Sequence, residues 1–187
     1  MASTLSRVLH DVGLAAWFGG TLANAVALNY AASTPGDPKE SGRVVNAGWK
    51  RWTAVNAVAI GVHLTGAVGQ LADNKDRVRS QPSVRSASAV KTVLTVAALG
   101  ASAYARKLGA TVAEREDVAV RGGTTPSSQT PPDVADAQRQ LAALQWVVPS
   151  LTGSIIGVTS YLGELQRPPA KAVGLVDRVA RSAAEKH

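Results

Sequence analysis

Two histidines lie within long apolar stretches of the sequence, and they are the residues best suited to chemistry. His10 stands near the start of LHDVGLAAWFGGTLANAVALNYAAS, and His63 lies inside WTAVNAVAIGVHLTGAVGQLA. A histidine within a membrane can carry a proton or bind a haem iron. Lys91, the single charge of the stretch 86–105, could line a quinone pocket beside His10. We therefore take His10, His63, Trp17 and Lys91 as candidate cofactor-binding residues, for a haem or a quinone.

Polar side chains recur every seven residues in each apolar stretch, which places each set on one helix face. Four such faces with small neighbours are typical of the inward seam of a left-handed antiparallel bundle. Hydrogen bonding between helices explains this polar seam without a ligand, so packing and cofactor binding both stay open. The seam comprises His10, Trp17 and Asn24; Asn56, His63 and Gln70; Ser88, Thr95 and Ser102; and Gln145, Thr152, Thr159 and Gln166.

Antiparallel packing arranges the seam in three layers. Neighbouring layers are about 10.5 Å apart, because seven residues separate them along each helix. His10 falls with Gln70 at one membrane face, whereas His63 falls with Trp17, Thr95 and Thr159 in the middle layer. Asn24, Asn56, Ser102 and Thr152 form the third layer. This layering separates the two histidines and argues against one haem held by both. The adjacent glycines Gly19 and Gly20 predict a close contact between helices.

Other chemistry is scarce in the sequence. There is no cysteine, no glycine-rich phosphate loop and no HExxH or GxSxG motif. Asp11 and Glu164 stand at the ends of apolar stretches, where we expect solvated or capping roles. A dyad of His63 with Ser102 lacks a strained or glycine-flanked serine. We therefore predict no catalytic residue and no metal site, and the sequence favours a protein without enzymatic activity while leaving the question open.

Four apolar stretches, 12–32, 52–72, 86–105 and 140–163, each have about the 20 residues that a membrane-crossing helix needs. Three of them contain no charge, whereas every helix of a soluble bundle needs a charged outer face. The sequence thus predicts an all-α fold, an up-down four-helix transmembrane bundle over 1–167. The first stretch is long for a signal peptide and has no convincing cleavage site, so we expect it to be a retained span.

The connections between the stretches are rich in proline and glycine. The run RGGTTPSSQTPPD predicts a mobile loop over about 106–133. Asp133 could cap the last helix, which would enter the membrane near Leu144. The tail 168–187 fits either a cationic helix on the lipid surface or a frayed end.

The net charge of +7 is not clustered with aromatic residues, which disfavours nucleic acid and fits a lipid surface. Termini on the inside would leave ten lysines and arginines inside and nine outside. That balance does not decide the orientation, but the short basic loop 73–85 favours cytoplasmic termini. We expect a multi-pass protein of the cell (inner) membrane.

The pattern His10, Trp17, Gly19 and Gly20 resembles the first span of CopD-like bacterial families, which implies a haem or copper role. The chain departs from a copper site because Met1 is its only sulfur-bearing residue. The runs HDVGLAAWFGGTLANAV, NAGWKRWTAVNAVAIGVHL and PPDVADAQRQLAALQWVVPSLTG with GELQRPP resemble a family of small four-span actinobacterial membrane proteins. That resemblance spans most of the chain and implies the architecture without a particular chemistry.

Three functions are compatible with the sequence. The first is an accessory or scaffold subunit of a membrane assembly, such as a respiratory one, that acts by association with other subunits or as a homo-oligomer. The second is a haem- or quinone-binding redox module at His10 or His63. The third is a lipid or small-solute carrier that uses the polar seam, which requires a lumen along it.

Overall fold

The computed structural model describes residues 4–114 and 118–165, and helices dominate both parts. Helix α1 runs through Thr4–Ala31 and includes a π-helical turn at Asn24–Leu28. The other elements are α2 (Pro38–Asp73), the short α3 (Lys75–Ser80), α4 (Pro82–Ala113), the two-stranded β1 (Val120–Gly122) and β2 (Thr125–Pro126), and α5 (Pro132–Glu164). The antiparallel pair β1–β2 forms a small hairpin between α4 and α5.

The four long helices are each long and apolar enough to cross a membrane. This confirms the predicted all-α four-helix bundle and makes the chain a multi-pass membrane protein. Large apolar side chains cover the outer faces of the helices; Val58, Val68 and Val93, for example, are 66%, 70% and 68% exposed. Such faces are stable against hydrocarbon and unfavourable in water.

Local signals in the sequence account for the starts of the helices. The Asp37 side chain caps α2 by accepting a hydrogen bond from the backbone N–H of Lys39, at 2.9 Å. Proline occupies the first turn of α2, α4 and α5, where its missing N–H costs nothing. The prediction that Asp133 caps α5 is wrong, because Pro131 is the N-cap residue and Asp133 lies in the first turn. There its charge still complements the positive end of the helix dipole.

The four long helices follow the order α2, α1, α5, α4 around the bundle. Helix α1 packs against α2 and α5, and α4 packs against α5, whereas α2 and α4 have few contacts with each other. The bundle is therefore open on the side between α2 and α4. We call the end that holds Thr4, Asp73 and Glu164 the N-terminal face, and the end that holds β1–β2 the hairpin face.

The centre of the bundle is filled by side chains. Trp17, Ala98 and Ile155 are each 0% exposed and pack in one apolar cluster. The other buried members of this cluster are Leu14, Ala59 and Val148. Close packing of a tryptophan and branched aliphatic side chains leaves this layer dry.

Glycines set the register between α1 and α2. A Cβ on Gly13 would collide with the backbone of His63, and a Cβ on Gly66 would collide with the backbone of His10. His10 therefore lies opposite Gly66, about one helical turn from the Gln70 level that the predicted layers gave it. The predicted layers placed polar residues of neighbouring helices at the same height. In the structure, the relative height of α1 and α2 is instead set by the positions where their backbones can approach closely.

Gly19 and Gly20, which were predicted to form a close helix contact together, have different surroundings. The indole of Trp52 occupies the space that a Cβ on Gly20 would need, so this glycine does allow a close contact. Gly19 has nothing within 4 Å of its Cβ position, so the predicted contact is wrong for Gly19 in the described chain.

The connection between α4 and α5 closes the hairpin face of the bundle. Val118 and Val120 are buried and pack with Leu108 of α4 and Val134 of α5. The helices also reach further into the predicted loop 106–133 than expected, since α4 ends at Ala113 and α5 begins at Pro132. The tail 168–187 lies outside the described residues.

Candidate functional site

A cleft of about 610 Å³ opens at the N-terminal face between α2 and α4. Its floor is formed by α1 and α5, through side chains such as Leu14 and Ile156. Val68 of α2 and Val96 of α4 line its walls and are 70% and 63% exposed, so the cleft opens onto the apolar outer surface of the bundle. A volume of this size is in the range of pockets that bind small organic molecules.

Lys91 is the residue that spans this cleft. It belongs to α4, yet its Nζ lies 3.3 Å from Nε2 of His10 in α1 and 3.2 Å from Oε1 of Gln70 in α2. Its side chain thus joins helices whose backbones stand apart. An ammonium group has three N–H donors, and these two acceptors account for two of them.

His10 is fully buried between two polar partners. Its Nδ1 lies 2.7 Å from Oδ1 of Asp11, and its Nε2 faces the Lys91 ammonium. Since an ammonium only donates, Nε2 must accept, and the ring proton therefore sits on Nδ1 and is donated to Asp11. The arrangement fixes a neutral imidazole in one tautomer.

His63 lies directly beside His10, with ring centroids 4.4 Å apart and the ring planes tilted by 49°. Its Nδ1 donates to the backbone carbonyl of His10 at 3.2 Å. The Trp17 ring is 5.9 Å from the His63 ring on another side. Nε2 of His63 has no hydrogen-bond partner among residues 4–114 and 118–165, although the side chain is completely buried.

The prediction that His10 and His63 lie a full layer apart is therefore wrong. The conclusion drawn from it, that they do not share a haem, holds for a different reason. Two axial histidines must approach an iron from opposite sides, whereas these rings are in contact with each other and leave no space for a haem between them.

A haem held by one histidine also fits poorly. Both nitrogens of His10 are already engaged by side chains. His63 has a free Nε2 but is 0% exposed and does not line the cleft. Within the two described ranges, no three side chains of the metal-binding kind come together at one point.

Two threonines of the predicted seam, Thr95 and Thr159, also line the cleft. The Thr95 hydroxyl donates to the Lys91 carbonyl of its own helix at 2.9 Å. The buried hydroxyl of Thr159 lacks a partner within the described structure. Together with Gln70 and Lys91, these side chains give the cleft a polar inner end below apolar walls.

Ser88 of the seam lines the cleft as well, whereas the other seam residues that the structure describes and that have not yet been placed lie away from it. Gln166 lies outside the described residues. Trp17 donates from Nε1 to the Ser102 hydroxyl at 3.2 Å, which ties α1 to α4. Gln145 accepts from the Asn29 amide at 2.8 Å, and Thr152 bonds to the Val148 carbonyl of its own helix. Asn24 and Asn56 each bury one amide atom without a partner in the described chain.

Two residues of functional interest were not predicted from the sequence. Asp11 was expected to be solvated or capping; its side chain is 60% exposed, and in addition it accepts a hydrogen bond from His10 and lines the cleft. Neighbouring residues on a helix point about 100° apart, so adjacency gave no reason to pair them. Asn29 is buried because of the π-helical turn at Asn24–Leu28, and a seven-residue period does not foresee such a turn.

The chain was compared with protein-family models, with curated proteins and with solved structures, and none of the three comparisons gave a match.

Proposed function

We propose that the protein binds an amphipathic membrane molecule of the quinone class in the cleft between α2 and α4. The observation that supports this most directly is the position of Lys91, an ammonium group within a membrane span that lines an apolar cleft and contacts only neutral acceptors. The chain would hold the head group of the ligand at Lys91 and leave its tail against the apolar walls.

The Lys91 ammonium can donate one more hydrogen bond than the two described. No carboxylate lies within ion-pair distance of its Nζ in the described parts of the chain. A charged side chain in a membrane span is costly unless it is paired or solvated, and it marks a functional site by default. An oxygen atom of a ligand in the cleft would complete the hydrogen bonding of the ammonium.

A quinone ring fits the distribution of donors at the inner end of the cleft. Its two carbonyl oxygens need donors at separate points, and Ser88 lines the cleft together with Lys91 and would supply the second donor. Thr159 also lines the cleft, but its hydroxyl oxygen is buried. The opening between Val68 and Val96 gives the tail a direct path into the lipid.

The carrier hypothesis is less well supported. A molecule that crossed the bundle along the polar seam would have to pass Trp17, Ala98 and Ile155, which are fully buried and packed together. The cleft ends against this layer, so ligand exchange from the side is the simpler route. None of the described residues that line the cleft is a histidine, cysteine, methionine or tyrosine, so a haem finds no axial ligand among them.

Association with other subunits or with a second copy of the chain is a second candidate function, supported by the outer glycines. Gly61, Gly100 and Gly157 have no atom of the described residues within 4 Å of their Cβ positions. Glycine inside a helix costs about 1 kcal/mol relative to alanine unless close approach requires it. Close helix packing against a partner would use these positions, as expected for an accessory or scaffold subunit of a respiratory assembly in the inner membrane.

Quinone binding can be tested with the full chain purified natively in detergent. Co-extracted molecules are identified by mass spectrometry, and binding of a decyl-substituted benzoquinone is measured by titration. Lys91→Met removes the ammonium and should weaken binding at least tenfold, because a charge-assisted hydrogen bond is worth about 1.5–3 kcal/mol. Lys107→Met, on the exposed face of the same helix, is the matched control and should leave affinity unchanged.

The same titration with phospholipid separates the two sources of an amphipathic ligand. Preferential retention of phospholipid, displaced by added phospholipid and not by the benzoquinone, would reject the quinone class. Equal affinity of the wild type and Lys91→Met for the benzoquinone would reject Lys91 as the head-group site.

A further inference from the structure

The side chains of Asp11, His10 and Lys91 form a hydrogen-bonded row from the exposed surface of α1 to the cleft. The Asp11 carboxylate is 60% exposed and accepts from Nδ1 of His10 at 2.7 Å. Nε2 of the same ring accepts from the Lys91 ammonium at 3.3 Å. Lys91 lines the cleft, so the row joins the N-terminal face to the position proposed for the ligand head group.

We propose that this row conducts a proton from the hydroxyl of a hydroquinone bound in the cleft to water, so that the ligand is held as its anion against Lys91. This inference rests on the proposed quinone-class site and specifies the form of the ligand and the path of its proton.

The transfers balance without an oxidant or a reductant. An N–H bond of the Lys91 ammonium breaks and its proton joins Nε2 of His10, while the Nδ1 proton of His10 passes to Asp11 and then to water. The resulting Lys91 amine takes the proton of the ligand O–H bond and becomes an ammonium again. One proton appears in water for each hydroquinone bound, and no electron moves.

The row has a defined direction at rest. The ring proton of His10 sits on Nδ1 and points at Asp11, so the first transfer leads outwards. After the transfer the proton sits on Nε2, and His10 cannot accept a second one from Lys91. Dissociation of the ligand reverses each step and restores the starting tautomer. The row thus couples one proton to one binding event.

The charged groups around the cleft favour an anion at Lys91. Helix α1 contributes Arg7 and Asp11 to the lining and α4 contributes Lys91, whereas the lining residues of α2, α3 and α5 are uncharged. The titratable His63 of α2 packs on His10 but donates its Nδ1 proton to a carbonyl, outside the row. Asp11 is the one carboxylate in the lining formed by the described residues and therefore the exit for the proton.

Proton transfer requires the donor and the acceptor to lie within hydrogen-bond distance, and a ligand hydroxyl held against Lys91 meets this condition. A fully oxidised quinone has no hydroxyl proton to give and would bind without proton release. The hydroquinone is therefore the test ligand, and the quinone of the same structure is its control.

The test uses the full chain in detergent, with decyl-benzoquinone and its hydroquinone as probes. Titration calorimetry in two buffers of different ionisation enthalpy counts the protons released on binding. We expect about one proton for the hydroquinone and none for the quinone. Hydroquinone binding with equal heats in both buffers would overturn the proton release and leave quinone-class binding intact, whereas no binding of either form would overturn both.

The path is tested by the rate of proton release, followed in a stopped-flow instrument with a pH indicator dye. Asp11→Asn alters an exposed side chain that need not disturb the fold, and it should slow the release about tenfold or more while the hydroquinone still binds. His10→Gln should do the same. Asp76→Asn, an exposed carboxylate of α3 outside the cleft, is the control. Release at the wild-type rate in Asp11→Asn would overturn the proposed path.

Discussion

The imidazole of His10 packs on the imidazole of His63 with the ring centroids 4.4 Å apart, and the Nδ1 proton of His63 is donated to the backbone carbonyl of His10. The contact is possible because Gly13 and Gly66 let the two backbones approach at this level. His63 therefore packs against the His10 ring, while Asp11 and Lys91, which both line the cleft, hydrogen-bond to its two nitrogens.

Gly66→Ala tests the importance of this close approach. The added methyl group would meet the backbone of His10, which cannot move aside as a side chain can. We expect a loss of about 1–3 kcal/mol in the free energy of unfolding, measured in detergent by the loss of helical circular dichroism. Gly61→Ala, with open space around its Cβ position, should instead stabilise the helix by up to about 1 kcal/mol. Equal stability of the two variants would contradict the glycine-determined register.

The hydrogen bond from Trp17 to Ser102 provides a second test, because it ties α1 to α4 across the bundle. Trp17→Phe and Ser102→Ala should each destabilise the protein, and a double-mutant cycle should return a coupling of about 0.6 kcal/mol. Ser154→Ala serves as the control, because this exposed hydroxyl bonds only to the Ser150 carbonyl of its own helix and should show no coupling to Trp17→Phe. A coupling indistinguishable from zero for Ser102→Ala would show that the two side chains do not interact.

The fold could be predicted from the sequence because its causes are local. Three stretches of about 20 residues without a charge leave few alternatives to a membrane span, and prolines and glycines mark where the helices end. Part of the candidate site could also be predicted from the sequence. His10 and Lys91 stand out as polar residues in apolar stretches, and the seven-residue spacing places His10 on the inner face.

The rest of the site depends on how the helices fit together. The register of α1 against α2 is decided by Gly13 and Gly66, and a pattern of polar residues does not contain that information. The π-helical turn at Asn24–Leu28 brings both Asn24 and Asn29 into the interior, five residues apart, where a regular helix would turn one of them outwards. The cleft itself follows from the separation of α2 and α4, which only the assembled bundle reveals.

Association through the outer glycines predicts a change in oligomeric state. Gly100→Leu and Gly157→Leu should reduce self-association, or the recovery of partner subunits, because a large side chain prevents close helix approach. Size-exclusion chromatography with light scattering, in mild detergent, measures the effect. Val93→Leu, a lipid-facing change of similar character on α4, should leave the oligomer intact. A protein that is monomeric before any substitution, and that purifies without partner subunits, would argue against this second candidate function.

The hairpin face offers a test that is independent of the cleft. The buried side chain of Gln138 donates from Nε2 to the Gly122 carbonyl at 3.1 Å and so fastens β1 to α5. Gln138→Leu removes this donor, and a hydrogen bond of this kind is worth about 0.5–1.5 kcal/mol. Because local opening exposes a backbone to proteases, trypsin should cleave after Arg121 in β1 several-fold faster than in the wild type. Gln140→Leu, on the exposed face of the same helix, should keep the wild-type rate, and equal rates in both variants would show that Gln138 does not hold the hairpin.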